Sequence, residues 1–195
     1  MKIHGTAKGA ALSTKDFGVA FGGAAEAPEV CQDVTDAETI IQKYDGAVTG
    51  NKSGCGVRIT DVDTGADFVG LTINTVKVWL RKNVGAPDNS FSVGIYRNEG
   101  AVDTVLYNFH DGDLSEITDS VTAVQYVYTG SGTHTIAAGD IVCVMQPHTD
   151  SLLYTKINNS TISGLEFAIF NDWPYQSSWP KWTFNTNASF AFCLK

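Results

Sequence analysis

Thr75-Val76-Lys77-Val78-Trp79-Leu80-Arg81-Lys82 is the stretch whose reading decides the fold. Val76, Val78 and Leu80 fall on one side of a period-two pattern. Thr75, Lys77, Trp79 and Arg81 fall on the other. Successive side chains of a strand point to opposite faces, so this pattern predicts a strand with one buried and one wet face. Phe91, Val93 and Ile95 repeat the pattern in the next segment. Gly85-Ala86-Pro87-Asp88-Asn89 between them reads as a turn, because these residues take the backbone angles that strands avoid. Further strands are expected at 102–109, 121–129, 141–146, 152–157, 165–170 and 188–194. Asn98-Glu99-Gly100, Asp111-Gly112-Asp113, Gly130-Ser131-Gly132 and Ala138-Gly139-Asp140 punctuate several of them. Many short strands at this spacing predict an all-β antiparallel sandwich or barrel.

Composition agrees. Hydrophobic residues make up 43% of the 195-residue chain and charged residues 17%, which is enough apolar material for a core and too little charge for a disordered chain. The formal net charge of −8 repels phosphate backbones and anionic lipid head groups, so nucleic acid is not an expected partner. No stretch approaches the roughly 20 apolar residues of a membrane-spanning helix, and membrane insertion is not expected. The opening segment Met1-Lys2-Ile3-His4-Gly5-Thr6-Ala7-Lys8-Gly9 lacks the apolar run of a secretory signal peptide.

Residues 1–30 are rich in Gly and Ala, with Leu12, Phe17, Val19 and Phe21 as the main side chains able to anchor. The last three alternate, as in one short extended segment. This stretch reads either as a tail or as an arm that lies on a neighbouring subunit. The chain thus divides into an extended Gly/Ala-rich arm, 1–34, and a β-sandwich domain, 35–195. One short N-terminal helix is expected over 35–44. Thr35 and Glu38 fit a capping box, Ala37, Ile40, Ile41 and Tyr44 share one helical face, and Asp45-Gly46 stops it. Cys31, Cys55, Cys143 and Cys193 show no CxxC spacing, so a zinc site is not expected. Two disulfides in three pairings are open, but buried thiols are favoured, because a chain of this length does not need staples.

Three pieces carry a family resemblance: Ile73-Asn74-Thr75-Val76-Lys77-Val78-Trp79-Leu80, then Gly85 to Tyr96 ending Ser92-Val93-Gly94-Ile95-Tyr96, then His134-Thr135-Ile136-Ala137-Ala138-Gly139-Asp140. Their order over residues 70–194 resembles jelly-roll β-sandwich modules of cell-surface, phage-associated and carbohydrate-binding proteins. Ser178-Trp179-Pro180-Lys181-Trp182, ahead of Phe190-Ala191-Phe192, is similar to the Trp-containing loop before the last strand of such modules. The resemblance implies an antiparallel jelly roll. It says little about function, because such folds host many tasks.

Several groupings of residues merit weighing as sites. Asp61, Asp63 and Asp67 around Gly65 are the best metal candidate, since alternate carboxylates can wrap calcium. The resemblance supports calcium in such a loop. The competing reading is a solvated acidic turn. His110 beside Asp111 and Asp113 is a second acidic turn, and His4, His134 and His148 show no ligand spacing. Trp173, Tyr175, Trp179 and Trp182 lie in an aromatic-rich run with two Trp-Pro steps. Their rings serve core packing, a contact between subunits, or stacking on a sugar. No nucleophile elbow, phosphate loop or zinc-protease motif is present, and no enzyme is expected. Asn51, Asn158, Asn159 and Asn187 begin N-x-[ST] triplets, which chance accounts for in a chain rich in Asn, Ser and Thr. The resulting expectation is a non-enzymatic, homo-oligomeric structural module of a virion or an extracellular surface assembly, with the arm on a neighbouring subunit. The alternative is a carbohydrate-binding module, calcium-assisted, whose late aromatic rings stack on a glycan.

Overall fold

The computed structural model describes residues 28–32, 40–41, 52–82, 90–99, 102–147, 153–158, 161–171, 182–186 and 188–195. Within them, thirteen strands and one helical turn run in this order: β1 (Val30–Gln32), β2 (Ile40–Ile41), β3 (Lys52–Ile59), α1 (Asp63–Ala66), β4 (Thr72–Lys82), β5 (Ser90–Glu99), β6 (Val102–Asp113), β7 (Val124–Thr135), β8 (Asp140–Pro147), β9 (Leu153–Asn158), β10 (Leu165–Asn171), β11 (Trp182–Asn185), β12 (Ser189–Phe190) and β13 (Phe192–Leu194). A short 3-10 turn, Leu114–Glu116, comes directly after β6.

The strands form two antiparallel sheets. One has seven strands, in the order β1-β13-β4-β9-β12, with β2 added to β9 and β7 added to β4. The other has six, in the order β11-β10-β3-β8-β5-β6. The sheets pack through the residues that the period-two pattern selects. Val76, Val78 and Leu80 of β4 meet Cys55, Val57 and Ile59 of β3, Phe91, Val93 and Ile95 of β5, and Val142 and Val144 of β8 in one apolar cluster. Phe190, Phe192 and Leu194 close it from the C-terminal strands.

A second apolar layer lies on the outer face of the six-stranded sheet. There Tyr96, Ile141, Cys143, Met145, Ala168, Phe170 and Trp182 are buried together. Consequently every residue of β8 from Ile141 to Gln146 is buried, where an antiparallel sandwich strand commonly shows one face to water. The layer needs the backbone of β3 to lie close beneath it. Gly54 and Gly56 supply this: a Cβ at Gly56 would stand 2.0 Å from the Val142 carbonyl oxygen, and one at Gly54 would stand 2.3 Å from Met145 Sδ.

The corner between β7 and β8 also comes from its sequence. Gly139 has φ +94, a left-handed conformation suited to glycine. It lets Asp140 turn inward, where its carboxylate is wholly buried. Asp140 Oδ2 accepts from the Ala137 backbone N–H at 2.9 Å and pairs with His134 Nε2 at 2.8 Å, while Oδ1 pairs with Arg97. A buried charge with this many partners is held in place by all of them.

Three sequence readings need correction here. The helix expected over 35–44 conflicts with the two residues described there, since Ile40 and Ile41 pair antiparallel with Ile157 and Lys156 of β9. Tertiary pairing overrides the helical spacing of that segment, and the short helix lies instead at Asp63–Ala66. Gly130-Ser131-Gly132 does not end a strand. β7 runs through it, and the glycines take up a register shift in which Thr129 faces Thr75 but His134 faces Ile73. Finally, the cysteines are not all thiols. Cys31 and Cys193, directly opposite in the β1–β13 pairing, form a disulfide, whereas Cys55 and Cys143 are buried outside it. The seven-stranded sheet thereby includes residues 30–32, ahead of the boundary read at residue 34.

Candidate functional site

The outer face of the seven-stranded sheet carries a cleft of about 260 Å³, lined by Glu29, Cys31, Lys77, Trp79, Gln125 and Cys193. Strand alternation puts the residues there. Lys77 and Trp79 are the outward members of β4, whose inward members are Val76, Val78 and Leu80. Pairing then supplies the neighbours: Cys193 of β13 lies opposite Lys77 on one side, and Gln125 of β7 lies opposite Trp79 on the other. The disulfide draws β1 against β13 and so brings Glu29 to the rim.

Lys77 Nζ donates to both carboxylate oxygens of Glu29, at 2.7 and 2.6 Å. The pair is about a third exposed on each side, so it fixes orientation more than it stabilises the fold. The two charges cancel, and among the described residues the cleft presents one half-buried indole ring, one donor cation, one acceptor anion and an amide that does both. Glu29, Cys31 and Cys193 are also close enough to share a metal ion. The sulfurs, however, are bonded to each other and offer no thiolate, and the carboxylate is bonded to Lys77. This grouping therefore does not read as a metal centre in the oxidised chain.

The residues singled out from sequence take other places. Asp61, Asp63 and Asp67 are all exposed. Asp63 opens α1 and Asp67 caps it, and Asp63 Oδ2 accepts from the Ser163 hydroxyl at 2.5 Å. The three carboxylates do not converge on a common point among the described residues. Trp182 is 2% exposed, with its ring 4.9 Å from that of Phe170 and 6.3 Å from those of Tyr96 and Phe184. It is part of the outer apolar layer and offers no ring face to a ligand. Trp173, Tyr175 and Trp179 lie outside the described residues, as do Leu12, Phe17, Val19 and Phe21. His110 pairs with Glu116 Oε2 at 2.8 Å and stacks on Tyr128 at 4.3 Å. Glu116 also accepts from the Asp113 backbone N–H, which is the main reason its carboxyl is held below the usual range, with His110 adding to the effect.

Sequence reasoning missed the cleft, although the signal was there. Trp79 stands on the outward side of the decisive strand, and an outward Trp between two charged residues is unusual on a wet face. Gln125, Glu29 and the disulfide become neighbours of Trp79 only through strand order, which spacing does not reveal.

A second exposed feature is β7 itself. None of its twelve residues is buried, and none is Asp, Glu, Lys, Arg or Pro. On one side it pairs with β4. On the other, among the described residues, it has no strand partner, but β6 lies close by: the Tyr107 hydroxyl donates to the Gly132 carbonyl at 2.9 Å, and the rings of Tyr107 and His110 stack on His134 and Tyr128. Val124 and Val127 are 40% and 53% exposed, with Val121 just before them at 87%.

Compared with known proteins, the chain matches no family model, no curated protein and no solved structure.

Proposed function

We propose that the chain is a non-enzymatic structural module that associates with copies of itself by pairing strands at the β7 edge. The observation that carries this reading is that the twelve residues of β7 include no Asp, Glu, Lys, Arg or Pro and pair in the sheet, among the described residues, with β4 alone. An open edge presents unpaired N–H and C=O groups, and soluble proteins normally blunt such an edge with charges, proline or a covering segment. Here the strand has none of the first two, in a chain whose net charge of −8 would otherwise keep copies apart. An approach along a charge-free strand reduces that repulsion, and the exposed valines give it apolar area.

The N-terminal arm fits the same reading. Residues 1–27, if extended, reach up to about 90 Å, and Phe17, Val19 and Phe21 alternate as an added strand requires. Either β7 of a second copy or the arm of a second copy then completes the edge. The chain passes repeatedly between the two sheets of the sandwich, and the jelly roll that the sequence resemblance implies is a fold used in viral shells. The disulfide supports use in an oxidising setting such as a virion or cell exterior.

The test is sedimentation velocity over a concentration series for the full chain and for Val127→Lys. Concentration-dependent oligomers of the parent chain, weakened by about tenfold or more in the variant, are expected. A parent chain that stays monomeric at the highest concentration overturns the proposal. The Trp79 cleft favours a second reading, sugar binding, which stands on different residues.

A further inference from the structure

The Trp79 cleft has the composition of a site for a small, neutral, polyhydroxylated ring, and we propose that it binds a pyranose sugar. Four observations converge. The first is an aromatic platform: Trp79 is half-buried, so its indole is held by the sheet yet remains reachable. The axial C–H groups on one face of a pyranose make an apolar patch that lies well on such a ring. The second is the set of polar groups around it. Lys77 donates, Glu29 accepts, and Gln125 does both, which suits hydroxyl groups that are donor and acceptor at once.

The third observation is charge. Lys77 and Glu29 neutralise each other within hydrogen-bond distance, so among the described lining residues no charge is left over to prefer an anion or a cation. A phosphate or a sulfated sugar would have to break that pair, whereas a neutral hydroxyl inserts beside it. The fourth is size and stiffness. About 260 Å³ holds one sugar ring and little more, below the usual range for larger ligands. The disulfide and four paired strands, β1, β13, β4 and β7, carry the lining, so little ordering is needed on binding. An open cleft for a single ring predicts weak affinity per site, about millimolar. Repetition of the module would raise the avidity of many such sites.

Sugar binding at Trp79 does not depend on self-association through β7, because monomers would bind equally. It also differs from stacking by the late aromatic run, since Trp182 is buried and Trp79 lies on the opposite sheet.

The test is saturation-transfer difference NMR of the oxidised full chain against methyl glycosides of glucose, galactose, mannose and N-acetylglucosamine. Trp79→Ala, Trp79→Phe and Gln125→Ala would be compared at matched thermal stability. Saturable binding of at least one neutral glycoside is expected. It should fall about tenfold or more in Trp79→Ala, be partly kept in Trp79→Phe, and weaken in Gln125→Ala. Gln125 is exposed, so its variant folds even if the Trp79 variants do not. The proposal is overturned if none of the four glycosides binds. It is also overturned if binding persists unchanged in the Gln125 variant and in every folded Trp79 variant. The same holds if only a negatively charged sugar, offered as a control, binds.

Discussion

Tyr128 shows how one residue can couple the fold to pH. Its hydroxyl is buried without a hydrogen-bond partner among the described residues, while its ring stacks on His110 and meets the edge of Phe91. Burial, with Glu116 and Tyr126 nearby, raises the phenol well above its ordinary value of 10.0. A raised folded-state pKa means that the neutral phenol is favoured in the folded chain. The resulting stability is fully present below about pH 10 and is lost as pH rises through the folded value. Tyr128→Phe removes an unpaired hydroxyl and keeps the ring. It is therefore expected to unfold at the same or a higher temperature at pH 7, and to lose less stability than the parent above pH 10, as read by thermal melts across that range. Trp182 teaches the opposite lesson about legibility. Its identity as a large aromatic is plain in the sequence, but whether its ring is buried or presented depends on β10 and β3 lying beside it.

At the scale of elements, the strands are legible because a half-buried strand writes its period directly into the chain. β4 and β5 match the alternation of Val76, Val78, Leu80 and of Phe91, Val93, Ile95. β8 carries no alternation, because both of its faces are covered, and a run of apolar residues does not say which layer covers which side. Glycines mislead for a related reason. Gly130 and Gly132 mark a bulge inside β7, not a turn. Gly54 and Gly56 lie in a strand interior because the outer aromatic layer needs the space. Gly56→Ala, whose Cβ would meet backbone, is expected to destabilise by about 1–3 kcal/mol or more in urea unfolding. Gly54→Ala should cost less, since the atom it meets, Met145 Sδ, belongs to a flexible side chain.

For the whole molecule, the Cys31–Cys193 bond is a long-range covalent tie, closing a sequence separation of 162 residues between β1 and β13. Length and spacing argue for thiols, and nothing in the sequence places the two ends in adjacent strands. In the chain-entropy picture, closing so long a loop stabilises by up to about 5 kcal/mol. Cys31→Ser with Cys193→Ser is expected to lose about 2–5 kcal/mol in denaturant unfolding, and to loosen the rim on which Glu29 sits. Among the described residues, two features bear on the proposals, a cleft over β4 and, at β7, a strand free of Asp, Glu, Lys and Arg that pairs only with β4, both belonging to the seven-stranded sheet.

The most direct test of the central claim is the mass of the full chain in solution across a concentration series, beside Val127→Lys. Oligomers that grow with concentration and weaken in the variant are the predicted result. A monomer at every concentration, with the variant indistinguishable from it, would contradict assembly through β7.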